Sequence, residues 1–396
     1  MKILHVIPSY EPAWAFGGTV TATANLCRAL ASKGVDVTVY TTNADGKGGQ
    51  LDVPLNAEVN VGGVKVYYFR SSLGRSGNFY SRTLSKKILA TVRDFDVVHV
   101  SAVWQWMQVD VARFCCNFKV PYLISLHGSL NPWTLTQKTL KKKIYWNLFG
   151  KQTFRYASAI HYTCAEERRL TVPIIGKLRN VPGFVVPNGV NSQVNGLNIR
   201  EKMGIGLDKF VLLYAGRIHR QKGLDFVIKA MSRQGLEKLV LLLVGYSDDL
   251  AYAGYLKRIS AGIQNRIIWV NPVTAAGISD YYSSSNLFVL PSYGENFSMV
   301  AVEAMSFGLP VLITKNVGIW REVEQDKAGF IVEQNSEEIS VLLGKVSQDR
   351  DLLRTISAHA RACAETRYDI NNVAALMAKA YEDIISGTQT KELQWE

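Results

Sequence analysis

Short apolar runs alternate with longer amphipathic segments along the whole chain. In the first half, five runs rich in β-branched and aromatic residues are predicted strands: 2–8, 35–41, 96–100, 122–126 and 159–163. Between them lie stretches with helical periodicity, among them 19–33, 81–93 and 138–156. Because apolar strands alternating with helices are typical of a parallel sheet covered on both faces, this half predicts a doubly wound α/β domain.

The same alternation begins again after a polar, glycine-containing segment near 187–200. The predicted strands are 210–214, 239–244, 267–269, 287–290 and 311–313, and the predicted helices are 223–233, 251–263, 279–284 and 299–307. The sequence therefore predicts two Rossmann-like, doubly wound parallel-sheet domains, 1–190 and 191–369, facing across a cleft that holds the ligands. An amphipathic C-terminal helix, expected at about 370–388, either closes the second domain or packs back on the first.

Composition excludes several classes of protein. With 47% apolar and 20% charged residues, the chain is globular rather than disordered or low in complexity. No apolar run approaches the roughly 18–20 residues of a membrane-spanning helix, and the first residues do not resemble a signal peptide. The cysteines contain no Cys-x-x-Cys pair and are expected to be reduced core residues: Cys27, Cys115, Cys116, Cys164 and Cys363. We therefore expect a cytoplasmic protein.

The excess of positive over negative charge is confined to the first half of the chain. Residues 1–195 hold 23 Lys+Arg against 10 Asp+Glu, a net charge of +13, whereas residues 196–396 hold 22 against 23. A strongly basic domain beside a balanced one suggests that the first domain meets an anionic surface or polymer. The alternative is solubility charge that is unevenly distributed. A nucleic-acid partner is not expected, because the basic stretches look helical and no recognition module is present.

The segment 291–310 is the first candidate for chemistry. A strand ends at Pro291, a loop of small residues carries Glu295, and a helix that starts near Ser298 carries Glu303. Free N–H groups at such a helix start can hold phosphate oxygens. Carboxylates at this spacing suit pairs of sugar or ribose hydroxyls, because each accepts two hydrogen bonds. The alternative for Glu303 is a solvated helix residue, although its neighbours are apolar.

Three further loops follow predicted strands. Arg217 and Lys222 would both project from a glycine-containing loop, where two cations can neutralise a diphosphate; alternatively they are ordinary surface cations. Gly17 and Gly18 end a loop at a helix start, but a G-x-G-x-x-G fingerprint is absent. His127 stands at the carboxyl end of a predicted strand, where a lone histidine is more often structural.

Together these segments resemble glycosyltransferase family 4, also called glycosyltransferase group 1. The resemblance rests on Arg-(x)4-Lys, Glu-(x)7-Glu, the Gly-Gly loop, Leu-His-Gly and Val-Pro-Asn-Gly-Val, in the order and at the positions seen in that family. It covers residues 2 to about 385. It implies the GT-B fold and a retaining enzyme that uses a nucleotide-sugar donor.

The resemblance also implies roles for particular residues. Arg217 and Lys222 would bind the donor diphosphate and stabilise the leaving nucleotide, while Glu295 would hold the donor sugar and Glu303 the ribose. His127 would contact the donor sugar near the reacting centre. The other implied donor-binding residues are Gly17, Gly18, Asn271, Val273, Asn296, Phe297, Ser298 and Met299, of which Asn271 and Val273 would line the nucleobase pocket.

Two departures from the family pattern border these positions. Many relatives carry Glu-Gly-Phe-Gly where this chain has Glu295-Asn296-Phe297-Ser298, and many carry Asp where it has Asn191. The first departure borders the sugar pocket. A formal Asp-x-Asp motif, at Asp94 and Asp96, precedes a strand on the side away from the predicted cleft. No metal and no cofactor are expected, because Arg217 and Lys222 supply the positive charge.

The resemblance and the basic half together suggest a substrate. The first domain of a GT-B enzyme binds the acceptor, and its basic residues concentrate at 75–87 and 138–151, the latter interleaved with aromatic residues. We expect transfer of a hexose-type sugar from a UDP- or GDP-sugar to a lipid-linked saccharide in surface polysaccharide biosynthesis, at the inner face of the membrane. Alternatively, the aromatic residues pack inward under solvated lysines. An epimerase or a non-transferring nucleotide-sugar-binding protein of the same fold is the alternative function.

Overall fold

The chain folds into two compact units. The computed structural model describes residues 1–46, 48–73, 79–101, 103–176, 181–191 and 196–388. Unit 1 comprises Met1–Gly189 and the chain from Ile370 onward, and unit 2 comprises Val190–Asp369. The two units are joined by the peptide bonds after Gly189 and after Asp369. None of the described helices is long and apolar enough to cross a membrane.

Unit 1 is built on an eight-stranded sheet of order β10-β9-β8-β7-β1-β2-β4-β3, with a small hairpin, β5 and β6, beside it. All neighbours in the large sheet are parallel except β3 and β4. The strands are β1 Lys2–Ser9, β2 Asp36–Thr42, β3 Glu58–Val61, β4 Val64–Phe69, β5 Ser72–Leu73, β6 Phe79–Tyr80, β7 Val97–Val100, β8 Tyr122–Ser125, β9 Ala159–Tyr162 and β10 Gly183–Val185.

Helices cover both faces of this sheet and create two hydrophobic cores. They are α1 Gly18–Ser32, α2 Arg82–Thr91, α3 Trp106–Phe118, α4 Pro132–Thr136, α5 Thr139–Tyr145, α6 Lys151–Arg155 and α7 Ala165–Ile175. The single helix predicted at 138–156 is instead α5 and α6 joined by one π-helical turn, Trp146–Gly150. Since π turns depend on tertiary packing, apolar periodicity does not reveal them.

Unit 2 holds a six-stranded, fully parallel sheet of order β13-β12-β11-β14-β15-β16. The strands are β11 Phe210–Ala215, β12 Leu239–Val244, β13 Ile267–Val270, β14 Leu287–Leu290, β15 Val311–Thr314 and β16 Gly329–Val332. The helices are α8 Leu224–Met231, α9 Leu250–Ile259, α10 Ala275–Ser283, α11 Met299–Ser306, α12 Trp320–Gln325, α13 Ser336–Val346 and α14 Arg350–Arg367. The prediction of two doubly wound parallel sheets is confirmed.

The C-terminal helix α15, Ile370–Ile385, belongs to unit 1. It packs against α1 on one face of the first sheet, where Met377 and Tyr381 are buried beside Cys27. Burial of this apolar stripe explains why the periodicity of 370–385 is so clear in the sequence. Four cysteines are buried as predicted, whereas the prediction is wrong for Cys116, which is exposed near the end of α3.

Candidate functional site

The strand order of unit 2 places two candidate loops side by side. β11 and β14 are neighbours at the point where the strand order reverses, and such switch points are where ligands bind in doubly wound folds. The loop after β11 carries Arg217 and Lys222, and the loop after β14 carries Glu295. Both loops therefore emerge at the carboxyl edge of the sheet.

Lys222 and Glu295 contact each other directly. Lys222 lies in a 3-10 turn, Arg220–Lys222, and its Nζ donates to Oε1 of Glu295. Both side chains are only 17% exposed. The hydroxyl of Ser292 lies 3.3 Å from the same carboxylate oxygen and 2.7 Å from the carbonyl oxygen of Gln221. The sequence predicted a cation and a carboxylate at this edge, but not that they form an ion pair with each other.

Close backbone contacts hold the two loops together. Gly223 has a φ of +67°, and a Cβ at this position would lie 2.2 Å from the carbonyl oxygen of Pro291. The N–H of Tyr293 donates to the carbonyl of Gln221 at 2.7 Å, and the Gln221 amide donates to the carbonyl of Gly294. Only glycine permits this approach, so the motif glycine after Lys222 is required by packing as well as by its φ.

The loop of Glu295 is also fixed on its other side, against the segment after β15. The N–H of Glu295 donates to the carbonyl of Asn316 at 2.8 Å, and the N–H of Gly318 donates to the carbonyl of Glu295 at 3.0 Å. Thr314 donates its hydroxyl to the carbonyl of Ser292 at 2.7 Å. The carboxylate of Glu295 is thus presented from a backbone held on both sides.

Arg217, the second candidate cation, is more exposed than Lys222. Its guanidinium donates from Nη1 to Oδ2 of Asp248 at 2.9 Å, and its carbonyl accepts from the buried hydroxyl of Tyr214. Asp248 follows β12, and this position after a strand was a usable signal in the sequence that had not been singled out. An incoming diphosphate would compete with an exposed carboxylate for Arg217, which is an exchange of low cost.

The residues 296–299 form the start of α11. Ser298 is the N-cap and has a φ of 76°, and its hydroxyl accepts from the N–H of Ala301. The side chains of Phe297 and Met299 are buried, and Phe297 packs edge-on against Tyr368 with ring centroids 5.6 Å apart. A ligand at this helix start would therefore meet backbone N–H groups rather than these two side chains.

Glu303 lies on α11, half-buried. The hydroxyl of Tyr282 donates to its Oε2 at 3.0 Å. Burial raises the pKa of the Glu303 carboxyl above its ordinary value, and the Tyr282 hydrogen bond partly opposes this rise. Glu303 is therefore not a fully solvated helix glutamate, because it is half-buried and its carboxyl accepts a hydrogen bond from Tyr282.

Asn271 and Val273 follow β13 at the edge of the second sheet. Both are exposed, and the hydroxyl of Thr274 caps α10 by accepting from the N–H of Gly277 at 3.2 Å. These positions are open to a ligand, as the predicted nucleobase pocket requires.

In unit 1, Gly17 and Gly18 stand where the loop after β1 enters α1. Gly17 has a φ of +76° and caps the helix, and no atom lies within 4 Å of the position its Cβ would take. Glycine is therefore needed here for the backbone conformation, and the space beside it is open.

His127 follows β8 and has a φ of 45°. Its Nε2 lies 3.3 Å from the hydroxyl of Ser101, and the next N–H, of Gly128, donates to Oε1 of Glu167 at 2.6 Å. Oε2 of buried Glu167 accepts from the N–H and the hydroxyl of Thr163. Burial lowers the pKa of His127 to about 3, so its ring is neutral at physiological pH. Ser101 and Glu167 were not singled out from the sequence.

In the basic segment of unit 1, the aromatic residues pack against other rings, in agreement with the alternative in which they pack inward under solvated lysines. Phe149 packs against Trp106, and Trp146 packs against buried Phe154. Trp133, before this segment, is 41% exposed, and the exposed aliphatic residues of the segment are Leu140, Ile144 and Leu148, which are 72%, 52% and 60% exposed. Residues spaced by four lie on one side of a helix, so these three form an apolar stripe. Exposed basic residues accompany it: Lys141, Lys143, Lys151 and Arg155.

The second aspartate of the Asp-x-Asp motif is hydrogen-bonded to the first residue of β1 in unit 1. Asp96 accepts from the N–H of Lys2 at 2.7 Å, and its own N–H donates to the carbonyl of Lys2 at 2.9 Å. Within the described ranges, no group of three or more His, Cys, Asp or Glu side chains is arranged to hold a metal ion.

Comparison of the sequence with protein families matches both halves of the chain. Residues 16–194 match the profile described as Glycosyltransferase Family 4, and residues 197–362 match the profile of the Glycosyl transferases group 1. An uncharacterized glycosyltransferase of Methanocaldococcus jannaschii is 24% identical over 96% of this chain and 98% of its own length.

Other relatives match only part of the chain. A D-inositol 3-phosphate glycosyltransferase of Paenarthrobacter aurescens is 27% identical over 51% of this chain and 52% of that relative. The capsular polysaccharide biosynthesis glycosyltransferase CapM of Staphylococcus aureus is 26% identical over 53% of this chain and 57% of its own length.

Among solved structures, HepE of Anabaena in complex with UDP-glucose superimposes with a TM-score of 0.75 and 20% identity. The match covers 97% of this chain and 100% of HepE. This likeness shows the fold, GT-B with two doubly wound domains, and each sheet described above agrees with it.

Proposed function

Because the chain belongs to glycosyltransferase family 4, we propose that it is a retaining, metal-independent hexosyltransferase that takes its sugar from a UDP- or GDP-sugar. The observation that carries the proposal is the contact between Lys222 and Glu295 at the switch point of unit 2. A cation for the donor phosphates and a carboxylate for the sugar hydroxyls stand side by side, on loops that the packing of Gly223 holds together.

The main chemical task of this site is to stabilise a leaving diphosphate. As the bond from the anomeric carbon to the phosphate oxygen breaks, negative charge develops on that oxygen. Lys222 and Arg217 would meet this charge, and their present partners, Glu295 and Asp248, keep both cations oriented before the donor arrives. Electrostatic stabilisation by groups already in place commonly contributes more to catalysis than any other single effect.

The acceptor needs no separate protein nucleophile in this scheme. Its hydroxyl attacks the anomeric carbon on the face from which the nucleotide leaves, and its proton passes to the departing phosphate oxygen. The protein then contributes orientation and charge stabilisation. Glu295 would orient the sugar, Glu303 would accept the ribose hydroxyls, and His127 would contact the donor sugar, as the family resemblance implies.

For the donor, UDP-glucose is the first ligand to test, because the structurally similar HepE binds it. Thermal unfolding should be measured with UDP- and GDP-sugars, since a ligand at 100 times its dissociation constant stabilises by about 2.7 kcal/mol. A donor that raises the unfolding temperature should also release its nucleoside diphosphate when an acceptor is present. If no UDP- or GDP-sugar is bound or consumed, the proposed function is wrong.

The same assay separates transfer from the alternatives. Conversion of the donor to a second nucleotide sugar without acceptor, seen by chromatography, would identify an epimerase. Binding without turnover in the presence of acceptors would identify a nucleotide-sugar-binding protein. Transfer predicts a glycosylated acceptor and an equal amount of nucleoside diphosphate, and a retaining enzyme predicts that the anomeric configuration of the donor is kept.

We further propose a lipid-linked saccharide as acceptor, met by unit 1 at the cytoplasmic face of a membrane during surface polysaccharide synthesis. The stripe of Leu140, Ile144 and Leu148 with its lysines supports this, because an apolar stripe with a basic border suits an anionic lipid surface. Each lysine near such a surface contributes about 1 kcal/mol. The likeness to a capsular polysaccharide enzyme supports the same acceptor class.

Flotation with liposomes tests the membrane proposal separately. The protein should float with vesicles of phosphatidylglycerol at low salt and much less at high salt. Replacing Leu140, Ile144 and Leu148 by Asn should abolish flotation, whereas Asn at Leu207 and Leu250, which are 86% and 79% exposed in unit 2, should not. Equal flotation of both variants, or no binding to anionic vesicles, would contradict the proposal.

A further inference from the structure

Four of the six histidines of the chain lie in one cluster of unit 1, three of them buried and His127 half-buried. His5 and His99 lie on the neighbouring strands β1 and β7, His161 lies on β9, and His127 follows β8, the strand between β7 and β9. The ring centroids of His5 and His99 are 4.3 Å apart. Two buried serines, Ser101 and Ser125, each connect a pair of these rings. The cluster therefore contains two series of hydrogen bonds, one through Ser125 and one through Ser101, and the second series ends at His127.

In the series of hydrogen bonds through Ser125, donors and acceptors can be assigned in only one way. The carbonyl of Val186 only accepts, so Nε2 of His161, 2.7 Å away, carries a proton. Nδ1 of the neutral His161 ring is then an acceptor, and the hydroxyl of Ser125 donates a hydrogen bond to it. Ser125 in turn accepts from Nε2 of His99, whose Nδ1 accepts from the hydroxyl of Tyr381 at 2.7 Å. A buried serine between two neutral histidines thus fixes which nitrogen of each ring is protonated.

The series of hydrogen bonds through Ser101 likewise places one serine hydroxyl between two histidine rings. Its hydroxyl lies 2.8 Å from Nε2 of His5 and 3.3 Å from Nε2 of His127. The N–H of Ser101 donates to the carbonyl of Val6 at 2.9 Å, which fixes this residue against β1. One hydroxyl proton is shared between two facing ring nitrogens, so the proton positions of His5 and His127 depend on each other.

Cys27 lies at the other end of this second series of hydrogen bonds. Its sulfur lies 3.8 Å from Nδ1 of His5, and burial raises the pKa of the thiol to about 12, so the thiol keeps its proton and can donate it. With the thiol as the donor, His5 carries its proton on Nε2 and donates to Ser101, and Ser101 donates to Nε2 of His127. Nδ1 of His127 is left as the protonated nitrogen, and within the described part of the chain no residue hydrogen-bonds it.

We propose that Ser101, held by His5, is a positioning residue that fixes the ring orientation of His127 and keeps its proton on Nδ1, where it faces the substrate. The inference rests on the proposed function, in which His127 contacts the donor sugar. Ser101 itself touches no substrate. A neutral N–H donor at a fixed place suits an oxygen of the sugar, whereas a ring that exchanges tautomers would offer a donor only part of the time.

The test compares two serines of similar burial, of which only one touches His127. Ser101→Ala removes the hydroxyl between His5 and His127, and Ser125→Ala removes the one between His99 and His161. Nitrogen-15 NMR of protein labelled at histidine reports the protonated nitrogen of each ring without any substrate. The kcat and KM for release of nucleoside diphosphate are measured in parallel, with a donor identified by the thermal unfolding screen.

In the unmutated protein, we expect the His127 signal of the Nδ1–H form. Ser101→Ala should shift it to a mixture of tautomers and lower kcat up to about tenfold, the loss of one hydrogen bond, with KM unchanged. Ser125→Ala should change the nitrogen-15 signals of His99 and His161, but it should change neither the His127 signal nor kcat. An unchanged His127 tautomer in Ser101→Ala, or an equal loss of kcat in Ser125→Ala, would overturn the inference. Absence of turnover in the unmutated protein would instead refute the proposed function, and the NMR result would still stand.

Discussion

Lys222 donates a hydrogen bond to Glu295 across two loops that are 73 residues apart in sequence. The two side chains are mostly buried, so the ion pair holds Lys222 at the carboxyl edge of the sheet. A donor diphosphate then meets a cation whose position is already set. The carboxylate consequently has two tasks in the proposed mechanism: it orients Lys222 before binding and the donor sugar afterwards.

Replacing Glu303 by Gln should stabilise the fold and weaken the binding of the nucleotide. The pKa of Glu303 is raised in the folded protein, so its contribution to stability is fully present below its unfolded pKa and is lost as pH rises through the folded value. Ionisation of this carboxyl therefore opposes folding, whereas a Gln side chain stays neutral at every pH. Hydrogen bonds from ribose hydroxyls to a charged acceptor are worth about 1.5–3 kcal/mol, so we expect the Kd of the nucleotide to rise.

Urea unfolding at pH 7 and titration with the identified nucleotide test this prediction. Glu303→Asp provides the control, because it keeps the charge on a shorter side chain. A Gln variant that is less stable than the unmutated protein, or that binds the nucleotide unchanged, would contradict the assigned role.

Ser298→Gly should stabilise unit 2. Ser298 has a φ of 76°, a conformation that costs a non-glycine residue about 1–2 kcal/mol, whereas glycine serves as an N-cap nearly as well as serine. The net gain in the free energy of unfolding is expected to reach about 1 kcal/mol, reduced by the greater freedom of glycine in the unfolded chain. Ser306→Gly, at the last residue of the same helix, is the control and should destabilise. A loss of stability in Ser298→Gly would show that its capping hydrogen bond outweighs the strain.

Gly223→Ala should disrupt the site more than a glycine substitution elsewhere. Gly223 and Gly235 both have positive φ, of +67° and +88°, but only a Cβ at Gly223 meets the backbone of Pro291. Gly235→Ala should cost about 1–2 kcal/mol of unfolding free energy from φ alone. Gly223→Ala should cost more and also lower turnover, because the loop that carries Lys222 must move away from the loop that carries Glu295. Equal effects of the two substitutions on both measurements would contradict this explanation.

The histidine cluster should make unit 1 sensitive to acid. Burial lowers the pKa of His5 and His127 to about 3 and of His161 to about 4, and that of His99 lies well below its ordinary value. In the unfolded chain each ring becomes protonated as the pH falls below about 6.5, whereas in the folded chain the ring stays neutral to lower pH. Stability is therefore complete above about pH 6.5 and falls as the pH decreases toward 4.

The free energy of unfolding, measured by urea at pH 4 to 8, should show this fall. His99→Phe takes up one proton fewer on unfolding. Its free energy of unfolding should therefore depend less steeply on pH, even if the variant is less stable overall. A free energy of unfolding that stays constant from pH 7 to 5 would be incompatible with four histidines that are neutral in the folded chain.

The sequence predicted which residues follow which strands, but not their pairwise contacts. Lys222 and Glu295 were recognised because each follows an apolar strand. Their ion pair depends on β11 lying beside β14, a neighbour relationship between strands that are not consecutive in the chain. Asp248 was missed for the same reason, since its contact with Arg217 requires β12 on the other side of β11.

The basic segment illustrates a second limit. Composition revealed aromatic residues among lysines, but the direction of each side chain depends on what it packs against. Trp104 and Trp106, which lie before and at the start of α3, take up Tyr145, Trp146 and Phe149 as packing partners. The apolar residues left exposed, Leu140, Ile144 and Leu148, could be identified only once these aromatic residues were placed.

The most direct test of the proposed mechanism is the rate of nucleoside diphosphate release by Lys222→Ala, with the donor and acceptor that the unmutated protein uses. Lys229→Ala is the matched control, because Lys229 also pairs with a carboxylate of unit 2, that of Asp225 at 3.0 Å, outside the site. Loss of a group that stabilises developing charge typically costs about 10²–10³ in kcat, so Lys222→Ala should lose at least about 100-fold under conditions in which the variant is folded. Lys229→Ala should keep its rate. Near-normal turnover of Lys222→Ala would contradict the proposal that this residue stabilises the leaving diphosphate.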